Sequence, residues 1–338
     1  MQGQIFKIFS DFYYVKTEDF GILECKLREI IKKRSEDVIV GDYVEIESLT
    51  ADKKQAFISS VLPRKNFLTR PKVANITQAV IVSSVKNPDL DFEQLNRYIA
   101  LCEYHGIKPV LCFNKNDLTD DEKLRNKIKN IYEPIGYTVF FTSALLKQGT
   151  EFVEKILKNN VSILCGASGV GKSSLINLLS NGKLQIETRA ISDKTKRGVH
   201  TTRHCEIYQI SENTSVVDTP GFSNAKFNFL MPYEVQNLFP EMRTEEKCKF
   251  ADCLHLHEQG CKILENPDII DETRYKSYVK FVEEAKEYKQ KVTYNGTKTE
   301  TLSKMNKGVQ MTKISERKRA LSRRVINQNI SKDGENNV

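Results

Sequence analysis

No stretch of this sequence runs to 18 consecutive apolar residues, so nothing in it has the length to cross a bilayer as a helix. Also missing is the basic-then-apolar layout of a secretory leader. MQGQIFKIFSDFYYVK alternates as a strand does, and the expectation is a cytoplasmic chain with no membrane partner. Disulfides are not expected in that compartment, although there are eight cysteines. Cys25, Cys102, Cys112, Cys165 and Cys205 are scattered, mostly in apolar runs, and read as small buried side chains. Acidic residues are nearly missing from one segment: between Lys304 and Arg324 stand eight basic residues and one acid. Clustered positive charge attracts a polyanion, most often nucleic acid, although a solvated tail would share the composition.

At 338 residues the chain exceeds one ordinary domain, and 39% hydrophobic with 28% charged residues fits a globular protein with some very polar segments. Up to about residue 65, QIFKIFS, FYYVK, FGILECKLREI, DYVEIES and QAFISSVL form five candidate strands with no helix between them. Such a pattern suggests a small barrel; an OB-fold is the commonest solution, and an SH3-like barrel would read the same way.

From about residue 76 the period changes. AVIVSSV and KPVLCFNKND are continuous apolar runs, as in strands covered on both faces. LDFEQLNRYIALCEYHG and DDEKLRNKIKNIYEPIG have helical spacing; YTVFFTSA reads as a strand and KQGTEFVEKILKNN as a helix. The alternation predicts a parallel sheet with helices on both faces and ligands at the carboxyl ends of its strands. Beyond about residue 232, MPYEVQNLFPEM and ETRYKSYVKFVEEAKEYKQK are helix candidates, and past 291 no apolar periodicity is sustained.

The polar motifs fall at those strand ends. Gly166, Ala167, Ser168, Gly169, Val170, Gly171, Lys172 and Ser173 spell a complete P-loop between an apolar strand and a helix that continues through Ser174. Its glycines let backbone N–H groups face phosphates; Lys172 would reach the β- and γ-phosphates, and the Ser173 hydroxyl would ligate Mg²⁺. Asn114, Lys115, Asn116 and Asp117 match the N-K-x-D pattern that reads guanine. Asp117 can accept from the ring N–H and the exocyclic amine together, a donor pair adenine lacks. Thr142, Ser143 and Ala144 close the next strand, where backbone amides can support the base. Asp218 and Gly221 belong to D-T-P-G, the turn that holds Mg²⁺ through water and senses the γ-phosphate. Lys194 to Arg203 is a basic loop in which Thr201 and Thr202 are candidates for closing over Mg²⁺, with Thr202 preferred.

Taken together these loops form a whole GTPase set in permuted order, the base-reading motif preceding the P-loop. The last of them then leads straight into the C-terminal region, where movement on hydrolysis can be passed on. Phe222 stands where Ras-like proteins carry a water-orienting Gln, and phenylalanine cannot orient water. His200 is the candidate to supply that function. The competing readings are a nucleotide-gated RNA-binding scaffold with little hydrolysis and an ATP-using kinase, against which Asp117 argues.

Cys248, Cys253, His255 and Cys261 put three thiols and an imidazole within one polar loop, which suits a closed tetrahedral Zn²⁺ site; His257 is a rival fourth ligand. Without metal such a loop has little core to hold it.

With these residues in place, the chain resembles the ribosome-small-subunit-dependent GTPase A family from residue 1 to about 290. Motif order, the LPRKNFLTRP connection and the C-x4-C-x-H-x5-C spacing together carry the resemblance. It implies an N-terminal OB-fold, a circularly permuted α/β P-loop GTPase domain and a C-terminal helical zinc-binding domain. The corresponding division is 1–68, 69–231, 232–290 and a basic tail at 291–338. It implies a monomeric cytoplasmic factor that binds GTP or GDP and the 30S subunit with its 16S rRNA, hydrolyses GTP faster there late in assembly, and leaves. The family's zinc ligands carry over onto Cys248, Cys253, His255 and Cys261, and its catalytic histidine onto His200. Val199 departs from the family's G-R-H-T-T pattern.

Overall fold

In a computed structural model of the chain, the described residues are 1–33, 37–47, 55–69, 72–180, 207–211, 214–218, 226–244, 246–297, 303–306 and 309–312. The first five strands are β1 (Gln2–Phe9), β2 (Phe12–Thr17), β3 (Gly21–Leu27), β4 (Tyr43–Glu47) and β5 (Gln55–Val61). They close into a barrel in the order β1-β2-β3-β5-β4, with only β3 and β5 parallel. This is the Greek-key arrangement expected of an OB-fold. Alternating side chains point inward, so Ile5, Val15, Leu23, Val44, Ile46 and Ile58 meet in one buried cluster. The run FGILECKLREI is not strand throughout: β3 stops at Leu27 and α1 (Glu29–Lys33) follows.

The chain leaves the barrel under tight control. Asp42 is fully buried, and its carboxylate accepts from Ile39 N–H at 2.8 Å and from Arg64 Nε and Nη2 at 2.6 and 2.9 Å. A small hairpin of β6 (Phe67–Thr69) and β7 (Lys72–Ala74) comes next; three-residue strands give no periodicity, and it went unread in the sequence.

The central sheet has six strands, β8 (Gln78–Ser84), β9 (Lys108–Asn114), β10 (Thr138–Phe141), β11 (Val161–Cys165), β12 (Ile207–Ser211) and β13 (Thr214–Asp218). Their order is β10-β9-β8-β11-β13-β12, all parallel except the β12 edge. Burial of almost every residue in β8, β9 and β11 explains their unbroken apolar runs. The helices α2 (Phe92–Tyr104), α3 (Glu122–Tyr132), α4 (Thr150–Leu157) and α5 (Lys172–Leu179) connect the strands. Asp91 and Asp121 cap α2 and α3, accepting from Gln94 N–H and Leu124 N–H at 3.1 and 3.0 Å.

The run MPYEVQNLFPEM forms two 3-10 stretches, Pro232–Leu238 and Pro240–Met242, rather than an α-helix. Pro240 has no N–H to donate back to the preceding turn, so the run breaks there into two short pieces. After them come α6 (Lys262–Glu265), a 3-10 turn Pro267–Ile269, and α7 (Glu272–Thr297). The last of these helices continues past residue 290, and a hairpin of β14 (Ser303–Asn306) and β15 (Val309–Thr312) lies in the segment read as a basic tail. Among the described residues, no helix is long and apolar enough to cross a membrane.

Residues 1–225 and 236–280 form one compact unit. Within it, Arg274 of α7 is fully buried and pairs with Glu241 through two bonds of 2.7 and 3.0 Å. Its Nη1 donates to Asn96 Oδ1 at 3.3 Å, and Tyr132 hydroxyl donates to the same oxygen at 2.8 Å. Asn96 returns a bond to Ser277 Oγ at 2.9 Å. This network fixes α7 against α2 and α3. Residues 226–235 and 281–338 form the other unit, in which Phe227 packs on Phe281 with ring centroids 4.6 Å apart and donates its N–H to Glu284 at 2.9 Å.

Candidate functional site

The P-loop runs from the end of β11 into α5. Gly166 has φ 144, and a Cβ there would sit 2.0 Å from Val82 O of the neighbouring strand. Gly171 has φ 98, and a Cβ would lie 2.3 Å from Asn114 Nδ2. Only glycine satisfies both the positive φ and the close approach. Gly171 also leads α5 with no side-chain cap, so the first amides of that helix stay available to an anion. Lys172 Nζ donates to Gly166 O and Ala167 O at 2.8 and 2.7 Å, which holds the ammonium over the loop. Ala167, Ser168, Gly169 and Val170 form the loop itself; Ser173 and Ser174 fall in the first turn of α5.

The N-K-x-D residues lie at the end of β9, two strands away, and the two loops touch. Asn114 is buried, and its Nδ2 donates to Val170 O at 2.9 Å. The Asn114 Oδ1 accepts from Thr142 Oγ1 at 3.2 Å and from Ala144 N–H at 3.0 Å. One side chain thus ties the base-reading turn, the T-S-A loop and the P-loop together. Ser143 is buried, and its Oγ accepts from Leu146 N–H at 3.0 Å, shaping the turn after β10. Lys115 takes a left-handed φ of 59, and its ammonium donates to Asn87 O. Asp117 is half-buried, and its Oδ1 is buried with no hydrogen-bond partner among the described residues. Buried carboxylate oxygens are rarely left so, and an orphaned acceptor here suits the N–H donors of a guanine.

Asp218 ends β13 and pairs with Leu164 in register, which brings its backbone to the same carboxyl end of the sheet as the P-loop. Its side chain, and the whole of His200, Thr201, Thr202, Gly221 and Phe222, lie outside the described residues.

The four residues of the cysteine cluster do converge. Their ligand atoms all lie within 4.8 Å of one another, with His255 Nδ1 at 3.6, 3.6 and 3.2 Å from the sulfurs of Cys248, Cys253 and Cys261. Tetrahedral Zn²⁺ with its usual bond lengths puts nitrogen and sulfur about 3.6 Å apart, so the donor set fits that ion. His255 Nε2 lies 2.8 Å from Gln236 Oε1, which fixes the proton on Nε2 and leaves Nδ1 free to ligate. His255 also takes a left-handed φ of 54. His257, the rival ligand, is exposed and stays out of the cluster.

Burial pushes the Cys253 thiol up to about 12, with Cys261 and Cys248 adding to the rise despite a backbone bond near His255 that opposes it. A cation would displace those protons. Glu258 holds the loop from within. Burial alone would raise its carboxyl, but the amides of Leu256, Leu254, His257 and Glu258 itself bring it down to about 2. Gln236 and, on α3, Arg125 were missed in the sequence, since neither stands in a motif; Arg125 Nη1 donates to Asn116 Oδ1 at 3.0 Å.

Comparison with known proteins agrees with this architecture. Residues 61–228 match the family model described as RsgA GTPase, and residues 2–58 match the RsgA N-terminal domain. The small ribosomal subunit biogenesis GTPase RsgA of Clostridium botulinum is 40% identical over 288 residues, covering 84% of this chain and 97% of that protein. Its namesake in Clostridium beijerinckii is 41% identical with the same coverage. Among solved structures, YjeQ from Thermotoga maritima superposes with a TM-score of 0.73 at 32% identity, over 84% of this chain and 98% of its own. YloQ, described as a circularly permuted GTPase, gives 0.70 at 30% identity over 85% and 95%.

Proposed function

The chain belongs to the RsgA GTPase family, and from that premise we propose that it binds the small ribosomal subunit late in its assembly and hydrolyses GTP to GDP and phosphate there. The observation that carries the reading is the bond from Asn114 to Val170, because it sets base-reading turn and phosphate loop side by side as one bound nucleotide requires.

In this reading Asp117 accepts from guanine, Lys115 lies along the base, and Thr142, Ser143 and Ala144 back it. Backbone amides from Gly166 to Ser174 surround the phosphates, and Lys172 leaves its carbonyl partners to pair with the β- and γ-oxygens. Ser173, Thr202 and, through water, Asp218 are the residues that would hold Mg²⁺, which when bound would neutralise phosphate charge. Gly221 senses the γ-phosphate and His200 orients the attacking water in place of the absent glutamine. Zn²⁺ at Cys248, Cys253, His255 and Cys261 is structural, all four positions being filled by protein. We assign the domains as 1–68, 69–231, 232–290 and 291–338, the last reaching 16S rRNA with its basic residues. The ribosomal partner makes the site of action cytoplasmic, and the working form a monomer.

GTP turnover measured with and without purified small subunits tests this. Subunits raise the rate severalfold if the proposal holds. An equal, slow rate in both favours the nucleotide-gated scaffold that Phe222 suggests.

A further inference from the structure

The turn that presents Asp117 spans only Asn116–Leu118, its leading residue Lys115 is left-handed, and no side chain caps it. One 3-10 turn of that length has no stability of its own, so the aim of Asp117 depends on what grips its neighbours. On the sheet side Asn116 N–H donates to Thr142 O at 3.0 Å. On the other side the grip comes from α3. Arg125 Nη1 donates to Asn116 Oδ1 at 3.0 Å and to Thr119 O at 3.1 Å. These acceptors flank Asp117 in the chain, and the two hydrogens of one guanidinium nitrogen serve one each. Arg125 is in turn set by the start of α3, where its N–H bonds Asp121 O at 3.2 Å and Asp121 caps the helix.

Resting on the reading of Asp117 as the guanine acceptor, we infer that Arg125 is a positioning residue for base recognition. It clamps both ends of the turn, so the carboxylate meets guanine without first having to be ordered. The clamp serves binding rather than hydrolysis, since its bonds go to the base-reading turn and not to the phosphate loop. It also gives the free position of N-K-x-D a task in this chain: Asn116 is there as an acceptor.

Affinities for GDP and a non-hydrolysable GTP analogue, nucleotide dissociation rates and kcat at saturating GTP are measured for Arg125→Met, Asn116→Ala, the double variant and Arg125→Lys. Each of the first two should raise both Kd values about tenfold, through faster dissociation and with kcat unchanged. The double variant should lose no more than the worse single, because both remove the same contact. Arg125→Lys should recover part of the loss, since one ammonium can donate to both acceptors as the single Nη1 does, but without the planar guanidinium that fixes its direction. An unchanged Kd in Arg125→Met, or additive losses in the double variant, overturns the clamp. If Arg125→Met melts below the assay temperature, Asn116→Ala decides alone by the same criterion. Asp117→Asn in the same series separates the two readings. A shift of preference toward xanthosine triphosphate leaves guanine reading standing even where the clamp fails, whereas no shift removes both.

Discussion

Asn114 and Val170 stand 56 residues apart in the chain, and the amide of one donates to the carbonyl of the other at 2.9 Å. The bond crosses over β8, from the end of β9 to the loop after β11, and Gly171 next to it admits no Cβ. Asn114→Ala should therefore damage base and phosphate binding together. It leaves the buried Val170 O without its partner, at about 1–3 kcal/mol, and the half-buried Ala144 N–H as well. The expected outcome is a loss of at least tenfold in affinity for both GDP and GTP and a lower melting temperature. Isothermal titration and a thermal melt check it; a variant that melts lower yet binds normally would show the tie to be structural only.

The parts of this architecture that the sequence shows are those with a repeating constraint. Unbroken apolar runs gave β8, β9 and β11 because both faces of each are covered, and the P-loop glycines could be read because each has a steric reason. The four cluster residues Cys248, Cys253, His255 and Cys261 stood out by chemistry alone. The three-residue strands β6 and β7 are too short to show a period, and the five residues of α1 follow directly on a strand pattern. The antiparallel edge strand β12 follows a polar loop and has only Ile207 fully buried, which hides it. Contacts between a motif and a residue outside it, as from Arg125 to Asn116 or Gln236 to His255, are set by tertiary placement that spacing does not encode.

The two histidines of the cluster make opposite predictions. His255 sits against three thiols and is braced by Gln236, whereas His257 is exposed. His257→Ala should retain one zinc per chain and an unchanged melting temperature. His255→Ala should lose zinc at a chelator concentration the intact chain withstands, and Gln236→Ala should weaken zinc about 10- to 100-fold, as loss of an outer partner does. Zinc content by atomic absorption after dialysis against graded chelator distinguishes them; loss at His257 and not at His255 would reverse the assignment.

Glu258 predicts a pH dependence. Burial works to raise its carboxyl, yet four backbone amides pull it from 4.5 down to about 2. A carboxylate depressed in the fold contributes stability above its unfolded pKa, and that contribution disappears as pH falls through the folded value. Glu258→Gln should thus be less stable than the parent at pH 7, and the gap should close between about pH 4.5 and 2. Zinc content is followed in both chains across the range, because Glu258 also shapes the loop that carries His255. Denaturant midpoints for the pair across that range give the test, and a gap independent of pH refutes the role of the ionised carboxylate.

Arg274 is the buried charge whose removal should cost most. Its guanidinium is fully enclosed, doubly bonded to Glu241, bonded to Asn96, and centred 4.6 Å from the Phe239 ring. Removing one partner of such a pair strands the other charge, a loss of about 3–5 kcal/mol, whereas replacing both by apolar groups is often close to neutral. Arg274→Met alone should therefore destabilise strongly, and adding Glu241→Leu should return much of the loss. Because Asn96 also accepts from Tyr132 of α3, the single variant should loosen α7 from α2 and α3, which hydrogen exchange would show as faster exchange in those helices. Equal stability of the single and double variants would mean that the pair is not coupled, and that the stacking on Phe239 rather than the charge holds α7 in place.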